Sequence, residues 1–456
     1  MSGEEKMMPK VSSPTSTVIR LFAAWKGTLL LIALGSAIVG PAYDTSGGLL
    51  LADRGGDILD NHSTTAVSAV LTRLVSWDAI YFVESADRGY VFEQEWAFGY
   101  GPPTIISWIV KALRASGWSW SGVPAAALVG VLVAHASHLL SALALLRLGN
   151  LVWHDQPGVA LTATCLHVLS PAGLFLSAPV AEASFSLLSF AGMLLFAKAA
   201  RAGSVGSVLA RDGLTLASAV VFALATTFRS NGLLNGIPFA FAFISEASGF
   251  LSHPSAATIW RLAVLGLGGI CIAAGLIVPQ AVAYQRYCLQ PPGTPLRSWC
   301  NQTLPSIYSF VQREYWGVGP FRYWTVSNLP LFMLAAPVLF ILVKSGWDFL
   351  GAPRGIPQTS GKTAQRKEDT AQYADGGLVR SMAAAQVLLS VMALTSYHVQ
   401  IITRLSSAYP VWYWWLAKHL AGEDGRPTGS AKGFVVFMVM YASIQGVLFS
   451  SFLPPA

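Results

Sequence analysis

Charge is scarce in this chain: Asp, Glu, Lys and Arg make up 11% of 456 residues, while 54% are hydrophobic. Soluble domains carry roughly a quarter charged residues, so this composition excludes an ordinary soluble globule. Cysteine is also scarce, with four residues, too few for a disulfide scaffold. No Cys/His cluster has zinc spacing, and the eight His are scattered without suggesting a Ser-His-Asp arrangement. The alternating ten-residue segments of a membrane barrel are missing, which leaves helices to satisfy the backbone inside lipid. There is no internal repeat, and no inverted pair of broken helices of the kind that marks transporters.

What is present are repeated apolar blocks, each about as long as a helix needs to cross a ~30 Å hydrocarbon core. The mean hydropathy is +0.53. The blocks predict an all-α polytopic membrane protein with about ten or eleven spans, near 28–43, 123–147, 158–177, 180–198, 214–229, 233–249, 262–283, 326–344, 382–402, 434–452 and a short one at 405–420. The organisation expected is a cytosolic tail (1–27, whose following block reads as a retained signal-anchor), a membrane core (28–344), a flexible cytosolic loop (345–380) and C-terminal membrane helices (381–456). With the N-terminus cytosolic, most of the 29 Lys and Arg fall on that side and the acids divide evenly. The whole formal charge of +7 then lies on the cytosolic face, as the positive-inside rule requires. The basic balance therefore reports topology. No basic surface interleaved with aromatics points to nucleic acid.

Two non-cytosolic loops stand out, 41–122 and 284–325. Most of the Trp, among them Trp77, Trp96, Trp108, Trp299 and Trp316, fall on their side. Aromatic belts normally occupy both faces, so the one-sidedness suggests amphipathic loop helices forming a platform for an amphiphilic substrate. The loops also hold two glycosylation sequons, at Asn61 and Asn301. Cys288 and Cys300 bracket the start of the second loop; a disulfide is one reading and two free thiols the other.

The first loop concentrates acids, most of which read as a solvated face. Asp78 differs, because it opens the apolar run Trp77-Asp78-Ala79-Ile80-Tyr81-Phe82, the expected start of an interfacial helix on which Asp78, Tyr81 and Phe82 share a face. It reads either as a general base at a membrane surface or as a salt-bridged loop Asp beside an interfacial Trp. Glu84 and Arg88 read as a structural pair. A sugar transfer from a phosphate donor needs one carboxylate to accept the acceptor's hydroxyl proton. It also needs cations, best supplied by Arg, to hold the anionic leaving group. Arg229, Arg313, Arg322 and Arg404 lie on the same predicted face as Asp78, with headgroup snorkelling as the competing explanation. Glu182 is an acid in a nearly uncharged apolar stretch, either paired with one of these arginines or in contact with sugar hydroxyls. His398 and Gln400, two apart in what reads as one helix ending at Arg404, cannot share a face. A second Trp-Asp pair, Trp347-Asp348, falls on the cytosolic side.

Five segments together resemble the GPI mannosyltransferase 2 family, the PIG-V type of the GT-C glycosyltransferases. They are Trp77-Asp78 through Glu93-Gln94-Glu95-Trp96-Ala97-Phe98; Ser170-Pro171-Ala172 to Glu182; Phe228-Arg229-Ser230-Asn231-Gly232; Val311-Gln312 to Arg322-Tyr323-Trp324; and His398-Val399-Gln400 to Arg404-Leu405-Ser406-Ser407. The family pattern departs at Gly99-Tyr100-Gly101-Pro102-Pro103, where a Phe-Pro run is usual, and at Val180-Ala181 in place of Tyr-Ser. The resemblance implies a multi-pass endoplasmic reticulum enzyme with a lumenal active site and loop helices. It would add the second, α1,6-linked mannose from dolichyl-phosphate-mannose to the Man-GlcN-acylPI glycolipid. It implies Asp78 as base, with Arg229, Arg404, Arg322 and Arg313 binding the donor phosphate. Trp77, Glu93, Glu182, Asn231, Gln312, Tyr315, Trp316, His398 and Gln400 would contact substrate. No cofactor or metal is expected, and the resemblance leaves room for a small accessory membrane subunit. The alternatives are a lipid transporter or scramblase, and a non-catalytic subunit of a glycan-assembly complex.

Overall fold

A computed structural model describes residues 13–53, 65–291, 295–351, 363–422 and 427–454. The sequon at Asn61 lies outside them. All the regular structure among the described residues is helical. The first helix, α1 (Pro14–Val39), starts well inside the expected tail, where Ser13 accepts a hydrogen bond from the Ser16 amide and Pro14 sits at the first turn. The 41–122 loop is folded into α2 (Ser46–Asp53), α3 (Thr65–Leu74), α4 (Asp78–Arg88) and α5 (Gly101–Ala115). Then come α6 (Gly122–Val152), α7 (Pro157–Val168), α8 (Glu182–Ser204), α9 (Val208–Phe228), α10 (Ile237–Ser252) and α11 (Ala256–Cys288). The second loop carries α12 (Ile307–Glu314), and α13 (Leu329–Gly351), α14 (Thr363–Thr395), α15 (Ile402–Leu405), α16 (Val411–Ala421) and α17 (Gly429–Ser450) complete the order. The polar stretch expected as a flexible loop at 345–380 is helical at both ends, because α13 runs through to Gly351 and α14 begins at Thr363.

Nine helices among the described residues are long and apolar enough to cross a membrane. The expected spans at 158–177 and 405–420 are not among them. The first contains α7, only 12 residues long, followed by a stretch over 169–181 whose only helical piece is the 3-10 turn Gly173–Leu176 and in which nearly every residue is buried. The second contains α16, only 11 residues long, preceded by short turns over 396–410. These two broken segments pack on each other, with the rings of His167 and Tyr413 5.5 Å apart. Non-helical backbone at membrane depth survives only where protein buries it or where it lines a cavity. Two such breaks side by side therefore mark where this bundle stops being plain scaffold.

Hydrogen bonds sort the helix ends into two sets. At one end, Arg201 donates to the Leu151 carbonyl and the Trp415 indole donates to Asp348 at 2.8 Å. At the other, the Tyr43 amide meets the Ser451 carbonyl at 2.8 Å and the Phe321 amide meets the Thr395 carbonyl at 2.6 Å. Both breaks, α4 and the second loop belong to this latter end. Small residues let the long helices approach closely: a Cβ at Gly192 of α8 would collide with the Phe222 ring of α9.

Candidate active site

Asp78 is the first residue of α4, where the unpaired amides of a helix N-terminus favour a carboxylate. The preceding Trp77 turns the chain from α3 with φ 57°, a left-handed conformation uncommon outside glycine. Its ring is anchored by stacking on Phe452, 5.2 Å away. Tyr81 and Phe82 share the face expected, and both meet Phe98, at 4.6 Å stacked and 5.8 Å edge-on. Burial first, then the negative charge of Asp78, pushes the Tyr81 phenol above its ordinary pKa.

Four charged residues from four chain segments converge. The Arg404 Nη1 donates to Asp78 Oδ2 at 2.8 Å, and its Nε lies 3.6 Å from Glu182 Oε1. Arg229 Nη1 donates to the same Glu182 oxygen at 2.7 Å. The Arg404 guanidinium rests 4.2 Å over the Phe175 ring. Burial alone would pull its pKa down, but the charges of Asp78 and Glu182 outweigh it and raise the pKa, which keeps the group cationic. Glu182 is 2% exposed, and its second oxygen, Oε2, is buried with no hydrogen-bond partner. Asp78 remains open, with 32% of its side chain exposed.

The two breaks supply this arrangement. Glu182 is the first residue of α8, directly after the 169–181 stretch. Arg404 stands in α15, inside the 396–410 stretch, and Arg229 has extended backbone at the end of α9. The Gly99-Tyr100-Gly101 departure from the family pattern lies against that end. The Tyr100 amide bonds the Thr227 carbonyl at 2.8 Å. Gly99, at φ 96°, faces the Phe228 carbonyl so closely that a Cβ would overlap it.

The other expected residues divide. Asn231 donates to the Tyr409 hydroxyl at 3.2 Å, beside the cluster. His398 and Gln400 do not share a helix with Arg404, because α14 ends at Thr395. Freed of helical spacing, both engage Tyr323. His398 stacks on its ring at 4.7 Å, and Gln400 accepts from its hydroxyl at 3.1 Å. His398 Nε2 also donates to the Trp316 carbonyl at 2.9 Å, and the Trp316 ring meets Phe98 at 5.0 Å. Gln312 is half-buried, with its carbonyl accepting from the Val318 amide at 2.8 Å. Arg313 is exposed and pairs with its neighbour Glu314, and Arg322 is exposed. Neither joins the Asp78 cluster. Glu93 and Tyr315 tie the two loops together: Glu93 accepts from the Trp299 indole at 2.9 Å and from the Tyr315 hydroxyl at 3.3 Å. Cys288 and Cys300 form a disulfide with Cα atoms 5.5 Å apart, which excludes the free-thiol reading. Asn301 is exposed beside it.

Hydropathy missed one residue here. Lys26, which the charge count assigns to a cytosolic tail, lies within α1 and is buried. The only available signal was its place next to an apolar block that α1 extends across.

Such a helical membrane protein, with a carboxylate and paired arginines at a broken end of its bundle, has the parts of a glycosyl transferase acting on an anionic donor. Residues 20–456 match the family described as Mannosyltransferase (PIG-V). The chain is 50% identical to GPI mannosyltransferase 2 of Chaetomium globosum over 97% of its own length and 96% of the relative's. It is 43% identical to the protein of that name from Gibberella zeae over 98% of each chain. It is 29% identical to mouse GPI alpha-1,6-mannosyltransferase 2 over 78% of this chain and 75% of that one. The chain belongs to the PIG-V mannosyltransferase family and is a glycosyltransferase. Among solved structures it is similar to an oligosaccharyltransferase from Archaeoglobus fulgidus, with 12% identity and a TM-score of 0.44, covering 95% of this chain and 55% of that one.

Proposed function

We propose that the protein transfers mannose from dolichyl-phosphate-mannose to the Man-GlcN-acylPI precursor of the GPI anchor, forming the α1,6 linkage in the endoplasmic reticulum lumen. The observation that carries this reading is the joining of Asp78 to Arg404, and through Glu182 to Arg229. In this scheme the donor phosphate takes Arg404, with Arg229 at its side, and the exchange releases the Asp78 carboxylate. The acceptor hydroxyl attacks the anomeric carbon from the face opposite the phosphate, and its proton passes to Asp78. The bond from anomeric carbon to phosphate oxygen breaks, and dolichyl phosphate leaves with the electron pair, stabilised by the arginines. A β-linked donor gives an α-linked product, so the configuration inverts. No cofactor enters the scheme. The Tyr81–Phe98–Trp316 aromatic surface is the natural seat for the apolar face of a sugar.

Complementation tests the assignment. Expressed in a strain lacking the second GPI mannosyltransferase, the protein should restore the two-mannose intermediate. Accumulation of the one-mannose glycolipid despite normal protein abundance would refute the acceptor assignment.

A further inference from the structure

We propose that Lys26 is a positioning residue for Arg404, acting through the buried turn that carries Phe175; the proposal rests on the reading of Arg404 as the donor-phosphate ligand. Lys26 lies near the middle of α1 and is 4% exposed. An ionisable side chain within a membrane helix is costly and marks function by default. No carboxylate pairs with it among the described residues. Its Nζ instead donates to the Leu176 carbonyl and to Ser177 Oγ, both at 2.7 Å. Its other polar neighbours are the α6 imidazoles of His135 and His138, with His167 beyond.

The acceptors explain the placement. Residues 169–181 have no continuous helical hydrogen-bond ladder, yet they are buried, and every buried carbonyl there requires a donor. Within the turn, the Leu174 carbonyl takes the amides of Ser177 and Ala178, both at 2.8 Å. The Leu176 carbonyl points the other way and takes Lys26. One residue before it, Phe175 is gripped on two sides, edge-on by Phe449 of α17 at 5.0 Å and face-on by the Arg404 guanidinium. The Lys26 Nζ thus fixes 176–177, that pair fixes the Phe175 ring, and the ring sets the height of Arg404 beside Asp78. A side chain placed only to fill space would not reach from α1 to two polar atoms of this turn.

The test compares purified full-length wild type, Lys26→Met, Phe175→Leu and the double variant in mannose transfer, with dolichyl-phosphate-mannose varied at saturating acceptor and the acceptor varied at saturating donor. Misplacing Arg404 should raise the donor KM about tenfold in each single variant and leave the acceptor KM unchanged. Because Lys26 works through Phe175, the double variant should be no worse than the poorer single one. Multiplying effects would overturn the coupling, and a wild-type donor KM in folded Lys26→Met would reduce Lys26 to a filler. Should Lys26→Met fail to fold, Ser177→Ala removes one acceptor and keeps the Lys26 Nζ on Leu176. It should raise the donor KM about two- to threefold, and an unchanged value would overturn the proposal. Arg404→Ala, run alongside, separates the two failures. An unchanged donor KM there removes the phosphate assignment itself; a raised one there, with wild-type values in the Lys26 and Ser177 variants, removes only the role of Lys26.

Discussion

Two clusters of carboxylates and arginines lie at the same end of this bundle, and they are built on opposite principles. In one, Arg88 Nη2 sits between Glu84 at 2.5 Å and Glu95 at 2.6 Å. The remaining Glu95 oxygen accepts the amides of Val91 and Phe92, at 2.7 and 3.0 Å. Adjacent to it, both Glu93 oxygens are taken by the second loop. Glu95 thus holds both Arg88 and the backbone, Glu93 holds the second loop, and Glu84 shares the Arg88 guanidinium. In the other, Asp78, Glu182, Arg229 and Arg404 balance in charge, but Glu182 Oε2 is buried without a partner and Asp78 is partly open. A satisfied network is a staple; one that leaves hydrogen-bonding capacity idle at its centre calls for a role beyond holding the fold. The closest ion pairs are of similar length in both, so those distances alone would not have told them apart.

The contrast breaks first at Asp78. Asp78→Asn keeps the shape, removes the proposed base and should lower mannose transfer by about 10²- to 10⁴-fold. Dolichyl phosphate should bind at least as tightly as to wild type, because Arg404 has lost a competitor. Near-normal turnover in microsomes at equal protein abundance would end the role of Asp78. Next in size is Glu182→Gln, which leaves two arginines short of a buried counter-charge, a change costing about 3–5 kcal/mol. Both thermal stability in detergent and donor affinity should fall, and if neither moves, Glu182 does not organise the cluster. Glu93→Ala should act on the staple instead, losing about 1–3 kcal/mol of stability while the folded fraction keeps the wild-type donor KM. A collapse of kcat without loss of stability would merge the two clusters into one site. The smallest effect belongs to Arg313→Ala, whose exposed pair with Glu314 is worth little. Donor KM should stay within about twofold, and a larger rise would draw Arg313 into phosphate binding.

Much of this was legible in the residues. Apolar block lengths gave the helical membrane class, and the pattern after Trp77 gave an amphipathic helix with Asp78 at its start. Arg229 was readable as a charge at a helix end. The broken segments were not, because hydropathy measures transfer to lipid and is blind to where backbone hydrogen bonds go. Residues 169–181 are as apolar as a helix, although Pro171, Gly173 and Pro179 were breaker signals at hand. At 396–398 neither Gly nor Pro announces the break, so the expected spacing between His398 and Gln400 assumed a helix that stops at Thr395. The pairing itself was beyond reach, since Glu182 meets Arg229 across 47 residues and Asp78 meets Arg404 across 326. Nothing local in a sequence encodes such partners.

Those separations also set an order in time. Arg73 donates to the Ser450 carbonyl across 377 residues, and Trp77 rests on Phe452. At roughly 5–20 residues per second of synthesis, the turn before α4 waits on the order of tens of seconds for its contacts. During that interval Asp78 has been made and Arg404 has not. The Asp78–Arg404 pair is therefore among the last contacts of the chain to form, and a chain that ends before α15 holds the Glu182–Arg229 pair but leaves Asp78 without its arginine.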